Sequence, residues 1–497
     1  MLTIEEIKTF IDADASSDKK RMAREGLRYY EAEHDIRDYR IFYVDGNGKL
    51  QEDKTKSNIK ISHPFFTELV DQAVQYMLSG KEGFVKSDTP ELQAELDAYF
   101  NDNEDFTSEL YEILTGAMSK GFEYAYAYKN AEDKIAFQCA DSLGVIEVKE
   151  KETDDGCAYV IYWYIDRIGK DNKAIKRIQV WDDKQTTFYV QEDKGEIALD
   201  EAQKVNPRPH TLYKKGNDNA TYYEGFGFIP FFRLDNCRKQ FSGLKPIKDL
   251  IDDYDLMSCG LSNNIQDTNE ALYVVKGFQG DNLDELMLNV KAKKHIGVDE
   301  DGGIDVKTVD IPYQARQAKL ELDEKNIYRF GFGLNTSGLK DTSATTNIAI
   351  KSAYSLLDLK ANKMEIRLKQ FMRKLLKVVL AEINEVNGTD YQQKDVYFAF
   401  EREVPVNEQE NAQIELTEAQ RKQTEINTLL NLSSQLDSET VMQLICEQLD
   451  IDYNDIKDKL PQPEADPYQA QVALDATQTE EGTVANGKAE EAFTGAP

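Results

Sequence analysis

Between Asn347 and Val386, the residues Leu357, Ala361, Met364, Leu368, Phe371 and Leu375 recur at alternating spacings of four and three. Residues three and four apart share one face of an α-helix, so the run predicts one long helix buried along one side. Any fold for this chain must offer a packing surface along that stripe, and the stripe reads as core. The same helix carries eight cations, Lys351, Lys360, Lys363, Arg367, Lys369, Arg373, Lys374 and Lys377, against four acids, Asp358, Glu365, Glu382 and Glu385. It is locally basic within a chain of formal net charge −31. A solvated face and contact with a polyanion account for that about equally well.

The rest of the chain divides by hydrophobic period. Ile4–Ile11 and Ser17–His34 read as short helices, and Asp45-Gly46-Asn47-Gly48 as a hairpin turn. A helix from about Pro64 places Phe65, Leu69, Val70, Ala73, Val74 and Met77 on one side and ends at Gly80, a good capping residue. Glu91–Phe100 and Glu104–Ser119 complete this helical part. From Phe122 the period becomes two: Phe122–Tyr128, Tyr159–Ile165, Ile175–Trp181 and Thr186–Val190 read as an antiparallel meander. Helix returns over Ser242–Glu270, a strand-rich insert follows over Ala271–Pro312, and helix resumes over Tyr313–Phe332. The loop Gly333–Thr346 is built mostly of Gly, Asn, Thr, Ser and Ala. Beyond the long helix come a strand, Val396–Phe400, and helices over Glu408–Leu436 and Ser438–Leu449. The Pro-, Ala- and Glu-rich end, Pro461–Pro497, has the composition of a disordered acidic tail. The fold class is α+β and mainly helical.

At 497 residues the chain exceeds one ordinary domain. It has no run approaching ~20 apolar residues, so no membrane span is expected. Met1-Leu2-Thr3-Ile4-Glu5-Glu6 lacks a basic region followed by an apolar one, so no secretory signal is expected either. The odd set Cys139, Cys157, Cys237, Cys259 and Cys446, without a C-x-x-C pair, suits a reducing cytoplasm and argues against a disulfide framework or structural zinc. Cys139 and Cys157 sit in apolar runs as small core residues. An excess of acids is the reverse of what a protein gripping DNA phosphates needs. It suits simple solubility, or a surface past which a polyanion moves without sticking.

Motifs for chemistry are weak. His34, His63, His210 and His295 are far apart in sequence and read as surface or turn histidines. Gly482-Thr-Val-Ala-Asn-Gly487-Lys488-Ala489 approximates a phosphate loop, but Ala489 offers no hydroxyl for magnesium and no strand precedes it. Asp299-Glu-Asp301-Gly-Gly303-Ile-Asp305 approximates a calcium loop, but Gly303 stands at a ligand position and Asp310 replaces the bidentate Glu. A hairpin turn is the better reading there. Asp249, Asp252, Asp253 and Asp255 could collect a metal across subunits, though they read more simply as a solvated helix face. Neither a catalytic residue, a metal site nor a cofactor is assigned.

One set of segments carries a resemblance. Glu224-Gly225-Phe226-Gly227-Phe228-Ile229-Pro230-Phe231-Phe232 leads into Ser242-Gly-Leu-Lys-Pro246-Ile-Lys-Asp-Leu250-Ile-Asp-Asp-Tyr254-Asp, then Ser258, Asn263, Asp267 and Glu270-Ala-Leu-Tyr-Val-Val-Lys-Gly277. His63-Pro-Phe-Phe-Thr-Glu-Leu-Val-Asp71 continues to Gly80-Lys81, and Thr342–Lys363 holds Ala349-Ile-Lys351 and Leu357-Asp-Leu-Lys-Ala-Asn-Lys363. In order and spacing, over about residues 20 to 455, these resemble the portal proteins of tailed bacteriophages, of the siphophage type found in Gram-positive hosts.

The resemblance implies a ring-forming portal fold with wing, stem, clip and crown regions. Residues 1–241 would be the wing, 242–270 and 313–332 the stem helices, and 271–312 the clip. Residues 333–346 would form a tunnel loop, 347–407 the long helix and a wing strand, and 408–460 the crown, ahead of the tail 461–497. Loop residues Asn335, Thr336, Ser337, Lys340, Asp341, Thr342, Ser343, Thr345 and Thr346 would face DNA, with Lys351, Lys360 and Lys363 of the basic helix behind them. Tyr273, Lys276, Lys291 and Lys293 of the clip would meet partners. The implied assembly is a homododecamer at one vertex of the virion capsid, made in the host cytoplasm. It would pass double-stranded DNA without sequence specificity during packaging, retention and ejection. Its partners would be terminase, head-completion or adaptor proteins, scaffold and the major capsid protein, with no membrane. Two other readings are another phage head-morphogenesis or adaptor protein, which the length and helix–insert–helix–loop–helix order oppose, and a metal-dependent nuclease built on the Asp cluster.

Overall fold

The computed structural model describes residues 2–151, 156–168, 173–192, 195–214, 221–224, 226–267, 272–276, 302–307, 312–336, 347–404, 408–431, 436–449 and 451–453. The calcium-loop acids Asp299 and Asp301, the phosphate-loop look-alike and the acidic tail lie outside them, as does His295. The chain divides into two compact units, Met1–Val406 and Asn407–Pro497. It is a mixture of helix and strand, as its periods predict.

In the first unit, α1 (Ile4–Ala15) and α2 (Asp18–Tyr30) precede an exposed hairpin of Phe42–Val44 and Leu50–Glu52. Then come α3 (Phe65–Met77), α4 (Pro90–Leu96) and α5 (Glu104–Lys120). Thr3 begins α1 with a reciprocal cap, its hydroxyl and the Glu6 carboxylate each receiving the other residue's N–H. Helix α3 stops at Met77, short of Gly80. Gly80 has a different reason to be glycine: a Cβ there would fall 2.7 Å from the Glu401 carbonyl oxygen.

Three of the four strands expected to form one meander, Tyr159–Ile165, Ile175–Trp181 and Thr186–Val190, share a sheet, but Phe122–Tyr128 belongs to a different one. Val145–Val148, Tyr159–Ile168, Lys173–Trp181, Gln185–Glu192 and Ala198–Leu199 pair antiparallel in sequence order, and Arg208–Pro209 also joins Gln185–Glu192. A three-stranded sheet has Phe122–Lys129 between Ile135–Ala140 and Phe231–Asp235. Next follow α6 (Lys248–Asp267), paired strands Leu272–Lys276 and Gly303–Lys307, α7 (Tyr313–Gly331) and the long α8 (Asn347–Asn387). Gly303 and Asp305 therefore lie in a strand.

The predicted stripe of α8 is buried throughout and joins α3, α5 and the three-stranded sheet in the main core. At the far end of α8 the buried Glu382 accepts from Lys129 Nζ at 2.5 Å and from the Ile135 N–H at 2.8 Å. A second cluster seats Ile7 and Ile11 of α1 on the meander, and a third, with Phe122, Tyr124 and Trp181, lies between the sheets. Cys139 and Cys157 pack at the edges of these clusters as free thiols. The second unit holds α9 (Glu408–Asn431) and α10 (Ser438–Leu449), with Val441 and Cys446 buried. Among the described residues, no helix is long and apolar enough to cross a membrane.

Candidate functional site

Helices α6 and α7 run side by side in opposite directions. Ile247 lies by Gly331 at one end, and Gly260 by Arg316 at the other. Between these points Lys319 pairs with Asp253 of α6 and Asp323 of its own helix.

On another face of α6, four side chains spaced by four residues receive the backbone N–H groups of alternate residues in a passing strap. Asp255 Oδ1 accepts from His63 N at 3.0 Å, Cys259 Sγ from Ile61 N at 3.2 Å, Asn263 Oδ1 from Ile59 N at 2.7 Å and Asp267 Oδ1 from Ser57 N at 3.0 Å. Four helical residues advance about 6 Å and two extended residues about 6.6 Å, so the two repeats keep step over this length. The strap needs these acceptors because an unpaired backbone N–H against a helix is costly.

Within the acidic set of α6, Asp255 departs from the solvated face expected from sequence. Asp255 is 0% exposed. Its Oδ2 accepts from His34 Nδ1 at 2.6 Å and its Oδ1 from His63 Nδ1 at 2.7 Å. Burial alone would raise the Asp255 pKa, but the bonds from His34 and His63 outweigh it and hold the carboxyl below its usual range. Asp252 receives the Tyr29 hydroxyl and Lys248 Nζ, and Asp253 pairs with Lys319, leaving Asp249 exposed. The carboxylates thus point to separate partners, and the described residues include no group of three ligands fit for a metal.

His34 is likewise no surface histidine. Its ring is buried, stacked on Tyr29 with centroids 4.5 Å apart, so its Nδ1 proton faces Asp255. His63 is partly buried, and His210 sits half-buried between Trp181 and Phe226. Ser258 Oγ lies 3.4 Å from His63 Nε2, which completes an Asp–His–Ser order. Ser258 is mid-helix, however, with its own N–H spent on the helical ladder, and acyl chemistry needs free N–H donors aimed at the developing oxyanion. What this arrangement can do is fix the strap and the end of α2 to α6.

The second constellation is the junction between α7 and the 333–346 segment. Gln72 of α3 grips Leu334 from both sides: Gln72 Oε1 accepts from Leu334 N at 3.0 Å, and Gln72 Nε2 donates to Leu334 O at 3.1 Å. Lys360 Nζ of α8 donates to the carbonyls of Leu69 (2.9 Å) and of Gly331 (3.2 Å), the last residue of α7. Desolvation lowers the Lys360 ammonium to about 8. Tyr328 hydroxyl donates to Glu68 Oε2 at 2.7 Å. Phe332 takes the left-handed conformation, φ 57°, that ends α7, a position where glycine is the usual choice. Its neighbours are the glycines instead, because Leu69 fills the space: a Cβ at Gly333 would fall 2.0 Å from Leu69 Cδ2 and one at Gly331 2.6 Å from Cδ1.

Of the residues singled out from sequence, Asn335 and Lys360 meet at this junction, Asn335 Nδ2 reaching Glu324 Oε1 at 3.4 Å. Thr336 is exposed beside them. Ser337, Lys340, Asp341, Thr342, Ser343, Thr345 and Thr346 lie outside the described residues, as do Lys291 and Lys293. Lys351 and Lys363 are exposed on α8, whereas Lys360 turns inward onto the two carbonyls. In the strand pair Tyr273 is opposite Val306 and Lys276 opposite Gly303. Sequence reasoning missed Gln72, and gave His34, Asp255 and Cys259 other roles: a surface or turn histidine, part of a solvated acidic face and a scattered thiol. The available signal was the four-residue spacing from Asp255 through Cys259 and Asn263 to Asp267.

Comparison with known proteins agrees with this architecture. Residues 10–452 match the model of the SPP1 Gp6-like phage portal protein family. A portal protein of Bacillus phage SPP1 is 28% identical over 351 residues, which cover 70% of this chain and 67% of the relative. A portal protein of Clostridium phage phiCD119 is 24% identical over 434 residues, covering 83% and 89%. A family match over that much of the sequence makes this chain a member of the SPP1 Gp6-like phage portal proteins, a structural component of the phage head at its portal vertex.

Proposed function

We propose that this portal subunit closes into a homododecameric ring around double-stranded DNA, with the 333–346 segment as the part that meets the polymer. The observation that carries this reading is the junction just described. The segment leaves α7 from a turn pinned by Gln72, Leu69 and Lys360, while its composition beyond that turn is small and hydroxylated. A fixed base under a segment of small and hydroxylated residues suits contact with a moving helical polymer. Lys340 is the only cation between 333 and 346, which suits weak phosphate contact without anchoring. A net charge of −31 suits a passage that does not adsorb DNA.

Wing, stem, clip, tunnel loop and crown keep the boundaries given from sequence. Tyr273, Lys276, Lys291 and Lys293 of the clip meet terminase and head-completion proteins, and scaffold and major capsid protein contact the outer surface. Assembly takes place in the host cytoplasm. The motor activity belongs to a partner, and this chain binds no cofactor. Lys340→Glu tests the reading: DNA-filled heads become fewer or leak DNA, while rings counted by electron microscopy stay normal. Unchanged packaging and retention would refute the contact role.

A further inference from the structure

We infer that Gln72 and Lys360 are positioning residues for DNA retention, setting where the 333–346 segment leaves the stem without touching DNA themselves. The inference rests on the proposed role of that segment. Three elements meet at its root and each contributes fixed groups. Helix α3 supplies the two-way amide grip of Gln72 on Leu334, together with the Leu69 side chain that shapes the turn. Helix α8 supplies Lys360, whose ammonium bonds the Gly331 carbonyl at the end of α7 and the Leu69 carbonyl of α3. Helix α7 supplies Tyr328 and Glu324, bonded to Glu68 and Asn335. Leu334 itself is buried in the main core.

The bonds are mutually dependent. A shift of the α7 end along its axis would draw Gly331 from Lys360 and Leu334 from Gln72 together. Residues 331–335 therefore travel with α3 and α8. A lysine so held has its charge directed at two carbonyls, which removes it from the pool of phosphate contacts expected from sequence and gives it a structural part in the same process.

The test uses full-length protein. Gln72→Leu removes both bonds to Leu334 and keeps a helix-forming residue of similar size. Lys360→Met removes the donor, and Lys360→Arg restores one. Amide exchange over residues 331–336 should quicken about tenfold in Gln72→Leu, as expected for loss of roughly one net hydrogen bond, while α5 and the meander stay unchanged. Infected-cell complementation should yield fewer DNA-retaining heads with Gln72→Leu and Lys360→Met, normal ring counts, and recovery with Lys360→Arg. In a Lys340→Glu background Gln72→Leu should add little further loss, because both act through one segment.

Unchanged exchange at 331–336 overturns the clamp. Faster exchange with full retention, while Lys340→Glu alone loses DNA, overturns the positioning role. Additive losses in the double variant also overturn it. A harmless Lys340→Glu beside a quickened root in Gln72→Leu is the separate failure of the segment's DNA role, and takes the positioning inference with it.

Discussion

Helices α6 and α8 belong to the same unit and are held in opposite ways. Helix α8 lays Leu357, Ala361, Met364, Leu368, Phe371 and Leu375 into the main core, all of them almost wholly buried. Its grip is area, which is non-directional and tolerates small adjustments of neighbours. Helix α6 buries only Ile251, Asp255 and Cys259, and along the strap it is held by acceptors at 255, 259, 263 and 267. Directional bonds define a register: moving the strap by one residue would leave all four N–H groups unpaired. The core fixes how firmly α8 holds to α3, α5 and the three-stranded sheet, and the polar row fixes where the 57–63 segment lies on α6.

The sharpest way to break that contrast is Asp255→Ala. It strands two histidine donors and one backbone N–H in a buried place, and should lower unfolding stability by about 3–5 kcal/mol in denaturant titration. A cost near that of an exposed ion pair would mean that the cluster is no anchor. Leu368→Ala in α8 should cost roughly 3 kcal/mol by transfer and cavity terms, measured in the same titration. Its exchange pattern should loosen the whole core without altering the strap. Asn263→Ala should cost only about 1 kcal/mol, yet speed exchange selectively at Ile59. Equal loosening of the core would erase the distinction between the two grips.

The smallest effect is one of pH. Asp255 has a folded pKa below its unfolded value of 3.8. Its stabilisation is therefore complete above 3.8 and is lost as pH falls through the lower folded value. Thermal unfolding between pH 5 and 2.5 should be steeper for the native chain than for Asp255→Asn. Parallel curves would show that Asp255 contributes nothing to the acid response.

The same contrast explains what could be read in advance. The stripe of α8 and the meander were legible because apolar periodicity reports a buried face whatever packs on it. The row on α6 has an equally regular period, but its residues are Asp, Cys, Asn and Asp, and an acceptor for a backbone N–H is indistinguishable in sequence from a solvated polar group. Its partner, Ser57–His63, donates from the main chain and so leaves no mark on residue identity. His34 is hidden for the same reason, since its burial depends on Asp255, more than two hundred residues later. Gln72 occupies a polar position of α3 that any hydrophilic residue would appear to satisfy. The loop root was partly legible: the loop was placed to begin at Gly333, but the reason for glycine there and at Gly331, the side chain of Leu69, was not visible.

The strap on α6 behaves as a vernier. Each pair of extended residues outruns four helical residues by about 0.6 Å, so over the three intervals from Asp255 to Asp267 the mismatch reaches about 2 Å. That is close to the tolerance of a row of hydrogen bonds. A fifth rung in the same series would fall out of phase, so the two periods themselves limit the length of chain that can be zipped to the helix. Lengthening α6 by a turn at this face would add no further rung. The end of the zipper is set by geometry, and the chain on the far side of Ser57, including the exposed hairpin at 42–52, is released from α6 by arithmetic as much as by sequence.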